Sequence, residues 1–163
     1  MANWREVTES APEFAARVRD SFEAHKHKTI ATLRRNGAPR VSGIEAYIIG
    51  DELWFGSMPG ALKARDLRRD PRFALHGPPV LLNADDSAAS PGDTKLSGYA
   101  VEVTDRDQLM PMLAARGFGP DAFRVSHFFT ADIREVALTR TEGSVMVIDL
   151  WRPGRELHRF TRS

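Results

Sequence analysis

Arg40 to Pro71 reads RVSGIEAYIIGDELWFGSMPGALKARDLRRDP, and the order of its patterns decides the fold. Val41 to Ile49 is rich in β-branched and aromatic residues, Gly50-Asp51 is a hairpin-type turn, and Leu53-Trp54-Phe55 continues a second apolar strand. Ser57 stands at the end of that strand. Gly60 then opens a short helix, and Lys63, six positions beyond Ser57, falls in its first turn. Free backbone amides and the helix dipole favour an anion there. Strand end, polar turn and lysine-bearing helix start together predict a cradle for a phosphate group.

Working outward, Ser10-Ala-Pro-Glu13 has the form of a capping box, and Phe14, Val18 and Phe22 recur on one face, predicting a first helix to Ala24. Thr29 to Leu33 is a short apolar strand, and Asn36-Gly37 turns it into the Arg40 to Ser57 hairpin, giving three strands in meander order. Beyond Pro71, Arg72 to His76 reads as a strand ending at Gly77-Pro78-Pro79, and Asn83 to Gly92 as an exposed loop. Lys95 to Val103 alternates like a strand. Asp105 with Gln108 caps a helix running to about Arg116, and Gly117 ends it. Val125 to Thr139 forms one long strand, bent or bulged near Thr130 to Asp132, and Ser144 to Arg152 returns antiparallel through Thr141-Glu-Gly143. Pro153-Gly154 breaks into a basic tail. The expected fold is mainly β: one domain over residues 1–163, an antiparallel barrel of six to seven strands with short flanking helices.

Composition bounds the function. The 163 residues carry 23 Lys and Arg against 22 Asp and Glu, too balanced for a dedicated nucleic-acid binder. The basic residues are nevertheless grouped. No acidic residue lies between Glu23 and Glu45, an interval holding Lys26, Lys28, Arg34, Arg35 and Arg40, and a second run holds Lys63, Arg65, Arg68, Arg69 and Arg72. Solvated faces or an anionic ligand would each account for such runs. Cysteine is absent, which excludes disulfides and thiol chemistry. With no apolar leader and no segment of membrane-spanning length, a cytoplasmic protein without membrane or nucleic-acid partners is expected.

Other motifs carry little. Gly117-Phe-Gly119-Pro-Asp-Ala122 matches a dinucleotide pattern formally, yet it follows a helix and places proline where amides should face a pyrophosphate. His25 and His27 lack a third ligand at useful spacing, so no metal is expected. No G-x-S-x-G motif is present. Trp151, at a strand end beside Arg152 and Arg155, reads equally as core packing or as a ring against a planar ligand.

The blocks HKHKTIATLRRNGAPRVSGIEAYI, DELWFGSMPGALKARDLRRDPRFALH and GDTKLSGYAVEV and the ending DLWRPGRELHR resemble the flavin- and deazaflavin-binding split-barrel superfamily. That superfamily includes pyridoxamine 5'-phosphate oxidase and the actinobacterial coenzyme F-420-dependent reductases. The resemblance implies a homodimer with FMN or coenzyme F-420 between subunits and a small organic molecule as hydride acceptor. It places the cofactor phosphate on Arg40, Ser57 and Lys63, with the amides near Ala61 and Leu62, and runs the backbone of Arg40, Val41 and Ser42 beside the ring. Gly56 and Lys95 join the implied cofactor site, and Trp151 and Arg155 would close the pocket or enter from the partner. The paired arginine and histidine of pyridoxine-type substrate binding is not found in the tail, and the WRPG ending leans towards the deazaflavin branch. The expected function is an oxidoreductase; the alternative is a non-catalytic flavin, deazaflavin or haem carrier or sensor on the same fold. No catalytic side chain is assigned, because the cofactor would carry the chemistry.

Overall fold

Strand β6, His127–Glu142, organises the molecule. In the computed structural model, which describes residues 1–78, 91–119 and 126–163, one edge of this strand pairs continuously with β5, Asp93–Glu102. Its other edge is divided between two partners. Trp54 to Ser57 of β3 (Glu52–Ser57) lie against His127 to Thr130, and Val145 to Trp151 of β7 (Val145–Trp151) lie against Val136 to Glu142.

The remaining strands are β1, His27–Leu33; β2, Pro39–Ile49; β4, Arg72–His76; and β8, His158–Arg162. The sheet order is β3-β2-β1-β4-β5-β6-β7-β8, and the additional β3–β6 pairing closes the first six into an antiparallel barrel. The hairpin of β7 and β8 stands outside it. This is the mainly β barrel that the strand pattern predicts, extended by β8, which lies in the basic tail, where the sequence pattern predicts no strand. All five β8 residues are exposed, so the strand carries no apolar alternation that would have marked it.

Four helices accompany the strands among the described residues: α1, Trp4–Ser10; α2, Pro12–Glu23; α3, Leu62–Arg69; and α4, Arg106–Ala115. The first corrects the sequence reading. Ser10 is not an N-cap but the last residue of α1; its hydroxyl donates to the Glu6 carbonyl at 2.6 Å and accepts from the Trp151 indole at 2.8 Å. Pro12, which has no amide hydrogen to donate, separates two helices. Trp4 and Val7 of α1 and Phe14, Val18 and Phe22 of α2 are buried against the barrel, each large side chain contributing about 1.5–3 kcal/mol of apolar burial. A second apolar cluster joins α4, through Leu109, Met112 and Leu113, to Trp54 and Phe128.

Two details set the barrel's shape. Between Ser97 and Gly98 the register with β6 shifts by one, leaving Arg134 as the extra residue of a bulge, slightly beyond the Thr130 to Asp132 step. Ala2 fills the interval on β6 between β3 and β7: the Ile133 amide donates to its carbonyl at 2.8 Å, and its own amide donates to Asp132 Oδ1 at 2.8 Å. Most of the predicted Asn83 to Gly92 loop lies outside the described residues, as do Val125 and the Pro120 to Ala122 part of the rejected glycine pattern.

Candidate functional site

The odd-numbered face of β2 forms the floor of a cleft of about 400 Å³. Its lining comes from Gly43, Ile44 and Glu45 of β2, His27 of β1, Gly56, Ser57 and Met58 from β3 onward, Lys63 of α3, Arg116 and Phe118 after α4, and Ser126 and Phe128 at the start of β6.

One end of the cleft is built for an anion. Lys63 Nζ donates to the Gly43 carbonyl at 2.6 Å and, among the described residues, meets no carboxylate. Burial lowers its pKa from the usual lysine value. The Ser57 hydroxyl oxygen is enclosed and, among the described residues, has no hydrogen-bond partner, an unpaired buried polar group of the kind a ligand oxygen satisfies. Gly60 holds φ at +71°, and its amide is taken by His127 Nε2 at 3.3 Å. His127 is itself flanked by Arg68 at 2.9 Å from Nδ1, which also pairs with Glu102.

The floor is open. Gly43 sits mid-strand in ordinary extended backbone, and a Cβ built on it meets nothing within 4 Å. A strand glycine of this kind marks a place where another group approaches the backbone closely.

The expected site residues divide. Gly56, Ser57 and Lys63 line the cleft together. Arg40, Val41 and Ser42 lie further along β2 and do not line it. Arg40 Nε donates to Asp66 Oδ2 at 2.6 Å, and Asp66 also accepts from Arg69 and from Thr32, each at 3.0 Å. Burial opposes that carboxylate's charge, yet the bonds from Arg40, Arg69 and Thr32 hold its pKa below the ordinary value. Arg40 in this structure is therefore a strut binding α3 to β1 and β2. Ala61 caps α3 and Leu62 begins it, exposed. Lys95 pairs with Asp93 on β5, away from the cleft lining.

Trp151 is a correction: it is 1 % exposed and gives its indole N–H to Ser10, so it presents no face to a ligand. Arg155 lines a separate concavity with Leu150, Arg152, Glu156, His158 and Phe160. Sequence reading missed Gly43, Glu45 and Arg116. The signal for Gly43 was present, since an interior strand glycine is unusual. Arg116 and Phe118 reach the cleft only through the fold of the α4 terminus, which no spacing rule reveals.

Among the described residues no group of acidic, histidine or cysteine side chains is arranged to hold a metal, and no helix is long and apolar enough to cross a membrane.

Comparison with known proteins agrees with this architecture. Three solved structures share the fold. A haem-binding protein from Mycobacterium smegmatis superposes with a TM-score of 0.66 at 20% identity, over 83% of this chain and 56% of that one. A pyridoxamine 5'-phosphate oxidase-related, FMN-binding protein from Nostoc punctiforme gives 0.63 at 12% identity, over 94% and 96%. General stress protein 26 from Bacillus anthracis gives 0.54 at 10% identity, over 74% and 89%. The chain thus spans little more than half the length of the mycobacterial protein. No curated protein matches it by sequence. Residues 14–139 match the family model described as pyridoxamine 5'-phosphate oxidase, a range that includes the lining of the cleft and all of the barrel but the last three residues of β6, and the chain belongs to that family of split barrels.

Proposed function

We propose that this protein is an oxidoreductase that holds FMN or coenzyme F-420 in the cleft and passes hydride between it and a small organic acceptor, as one of two identical subunits. The observation that carries the reading is the pairing of an anion cradle with an open floor: Lys63 without a carboxylate partner among the described residues, the unpartnered Ser57 hydroxyl, and the bare backbone at Gly43. A phosphate fits the first two and a flat ring fits the third. The FMN-binding description of the Nostoc punctiforme protein supports a flavin-type cofactor.

A flavin or deazaflavin supplies hydride chemistry when bound, so the chain's own residues need only bind, orient and shield. Lys63 and Ser57 anchor the anionic end, Gly43 admits the ring, and Ile44, Phe118 and Phe128 exclude water from its sides. Met58, Leu62 and Val41 are exposed at 79%, 54% and 71% near the cleft and α3. Read together as one apolar collar, these three support closure by a second copy of the chain.

Titration of the dialysed protein with FMN and separately with coenzyme F-420, followed by fluorescence, tests the proposal. Lys63→Gln is expected to weaken the bound cofactor by roughly 1.5–3 kcal/mol, about ten- to a hundredfold. Affinity unchanged in that variant would remove the phosphate assignment. A second reading, haem binding, is supported by His27 on the cleft wall and by the mycobacterial haem-binding fold. Haem titration distinguishes it through an absorption band that disappears in His27→Ala.

A further inference from the structure

We propose that Glu45 and Arg116 form a donor–acceptor clamp for a planar group that presents a carbonyl beside an N–H, as a carboxamide, lactam or imide does. Both side chains stand on the wall of the cleft. Arg116 is fixed in place by the end of α4, where the Phe118 amide donates to Leu113 at 2.9 Å and the Gly117 amide donates to Ala114 at 3.0 Å. Gly117 turns there at φ +72°, the glycine-terminated helix end that satisfies the last carbonyls. The guanidinium carbon consequently lies 4.0 Å from the Tyr47 ring centroid and 4.7 Å from that of Phe118. With these rings beside it, the guanidinium offers its edge.

On that edge a single nitrogen is engaged. Arg116 Nη2 donates to Glu45 Oε2 at 2.6 Å and to the Tyr47 hydroxyl at 3.1 Å. Among the described residues Nε and Nη1 donate to nothing, although the side chain is only 12% exposed. Glu45 is half-used in the same way. Its Oε2 also accepts from the Tyr47 hydroxyl at 2.9 Å, whereas among the described residues Oε1 accepts no hydrogen bond and has a loose ion pair with Lys26 Nζ at 3.8 Å, on a side chain that is 62% exposed.

A free donor and a free acceptor therefore lie together in a cleft walled by Ile44, Phe118 and Phe128. An incoming carboxylate would find Arg116 already neutralised and would face the charge of Glu45. An incoming ammonium would face Arg116. A neutral group carrying both hydrogen-bonding polarities satisfies both open positions without a buried charge left over.

The inference deepens the flavin-type reading and rests on it for the source of the edge, which belongs either to the acceptor or to the pyrimidinedione end of the cofactor ring. Saturation-transfer NMR with benzamide and benzoate as probes, on the full chain with and without FMN, tests it. With the anion cradle at the other end of the cleft removed by Lys63→Gln, the protein should bind benzamide at least tenfold more tightly than benzoate, and the clamp variants are compared in that background. In Glu45→Gln, benzoate should gain at least tenfold and the preference should vanish. In Arg116→Lys, which keeps the charge but not the planar fork, the benzamide preference should also be lost; thermal melts establish that both variants are folded. Equal or tighter benzoate binding by the Lys63→Gln protein, no binding of either probe in the millimolar range, or a preference untouched when Glu45→Gln is added overturns the clamp. Competition between FMN and benzamide assigns the edge to the cofactor, and simultaneous binding assigns it to the acceptor. If FMN fails to bind while the benzamide preference holds, the clamp stands and the flavin reading falls.

Discussion

Gly43 shows how much a missing side chain contributes to the candidate site. A valine at this position has an ordinary strand conformation available and meets no neighbour at its Cβ, so Gly43→Val should leave the melting temperature unchanged or slightly raised. Its branched side chain would occupy the floor, and cofactor affinity should fall at least tenfold in the same fluorescence titration. A loss of both stability and binding would point to a structural glycine instead. Lys28 is a different case. It is 4% exposed, donates to the His25 carbonyl at 2.5 Å, and lies 4.5 Å from the Phe22 ring centroid. Burial lowers its pKa to about 8, with Glu23 and Glu45 partly opposing the shift. Above that pH the folded chain releases a proton that the unfolded chain keeps up to about 10.4. The unfolded state then holds more protons, and stability rises with pH across this window. Urea unfolding at pH 7, 8.5 and 10 should show stability rising with pH, and Lys28→Met should flatten most of that rise. At this scale the sequence was partly legible. Ser57 and Lys63 were visible because a helix start after a strand has a fixed electrostatic meaning. Arg40 was misleading because its partner, Asp66, belongs to a helix whose docking only the fold shows.

The elements were legible where pattern and punctuation agreed. β1 to β3 have turn residues at each end, and α4 has an aspartate whose Oδ1 accepts the Asp107 amide at 2.9 Å. Ser10 and Glu13 satisfied a helix-start pattern, but burial of Trp4 and Val7 extends a helix through Ser10 from the other side. Tertiary packing overrode a local signal. The bulge on β6 has an equally local cause and a sharp test. A Cβ at Gly98 would lie 2.1 Å from the Asp132 carbonyl oxygen, a backbone atom that cannot swing aside. Gly98→Ala should therefore cost about 1–3 kcal/mol, read as a lowered urea midpoint, because the bulge must open to admit the methyl group. Gly37→Ala, at a turn with open space around it but φ +82°, provides a comparison in which only backbone strain acts.

Across the whole molecule, the closed barrel follows from meander connections and two pairings between strands that are not consecutive, β1–β4 and β3–β6, and the proposed meeting of two copies over the cleft is tested at this scale. Light scattering coupled to size exclusion should give twice the 18.2 kDa chain mass, and Met58→Glu with Val41→Glu should shift it to one chain. A monomeric wild type would leave the collar unexplained by self-association. The fold class was legible because antiparallel strands announce themselves through short turns. The division of one edge of β6 between β3 and β7 was not, since it depends on contacts between residues 70 or more positions apart. That division has a consequence for the birth of the chain. The strand that receives both β3 and Ala2 leaves a ribosome well after either of them, so β3 must wait with that edge unpaired. Until Thr130 and Ile133 emerge there is no barrel to close, and during synthesis that exposed edge is where a nascent neighbour or a chaperone would meet this protein.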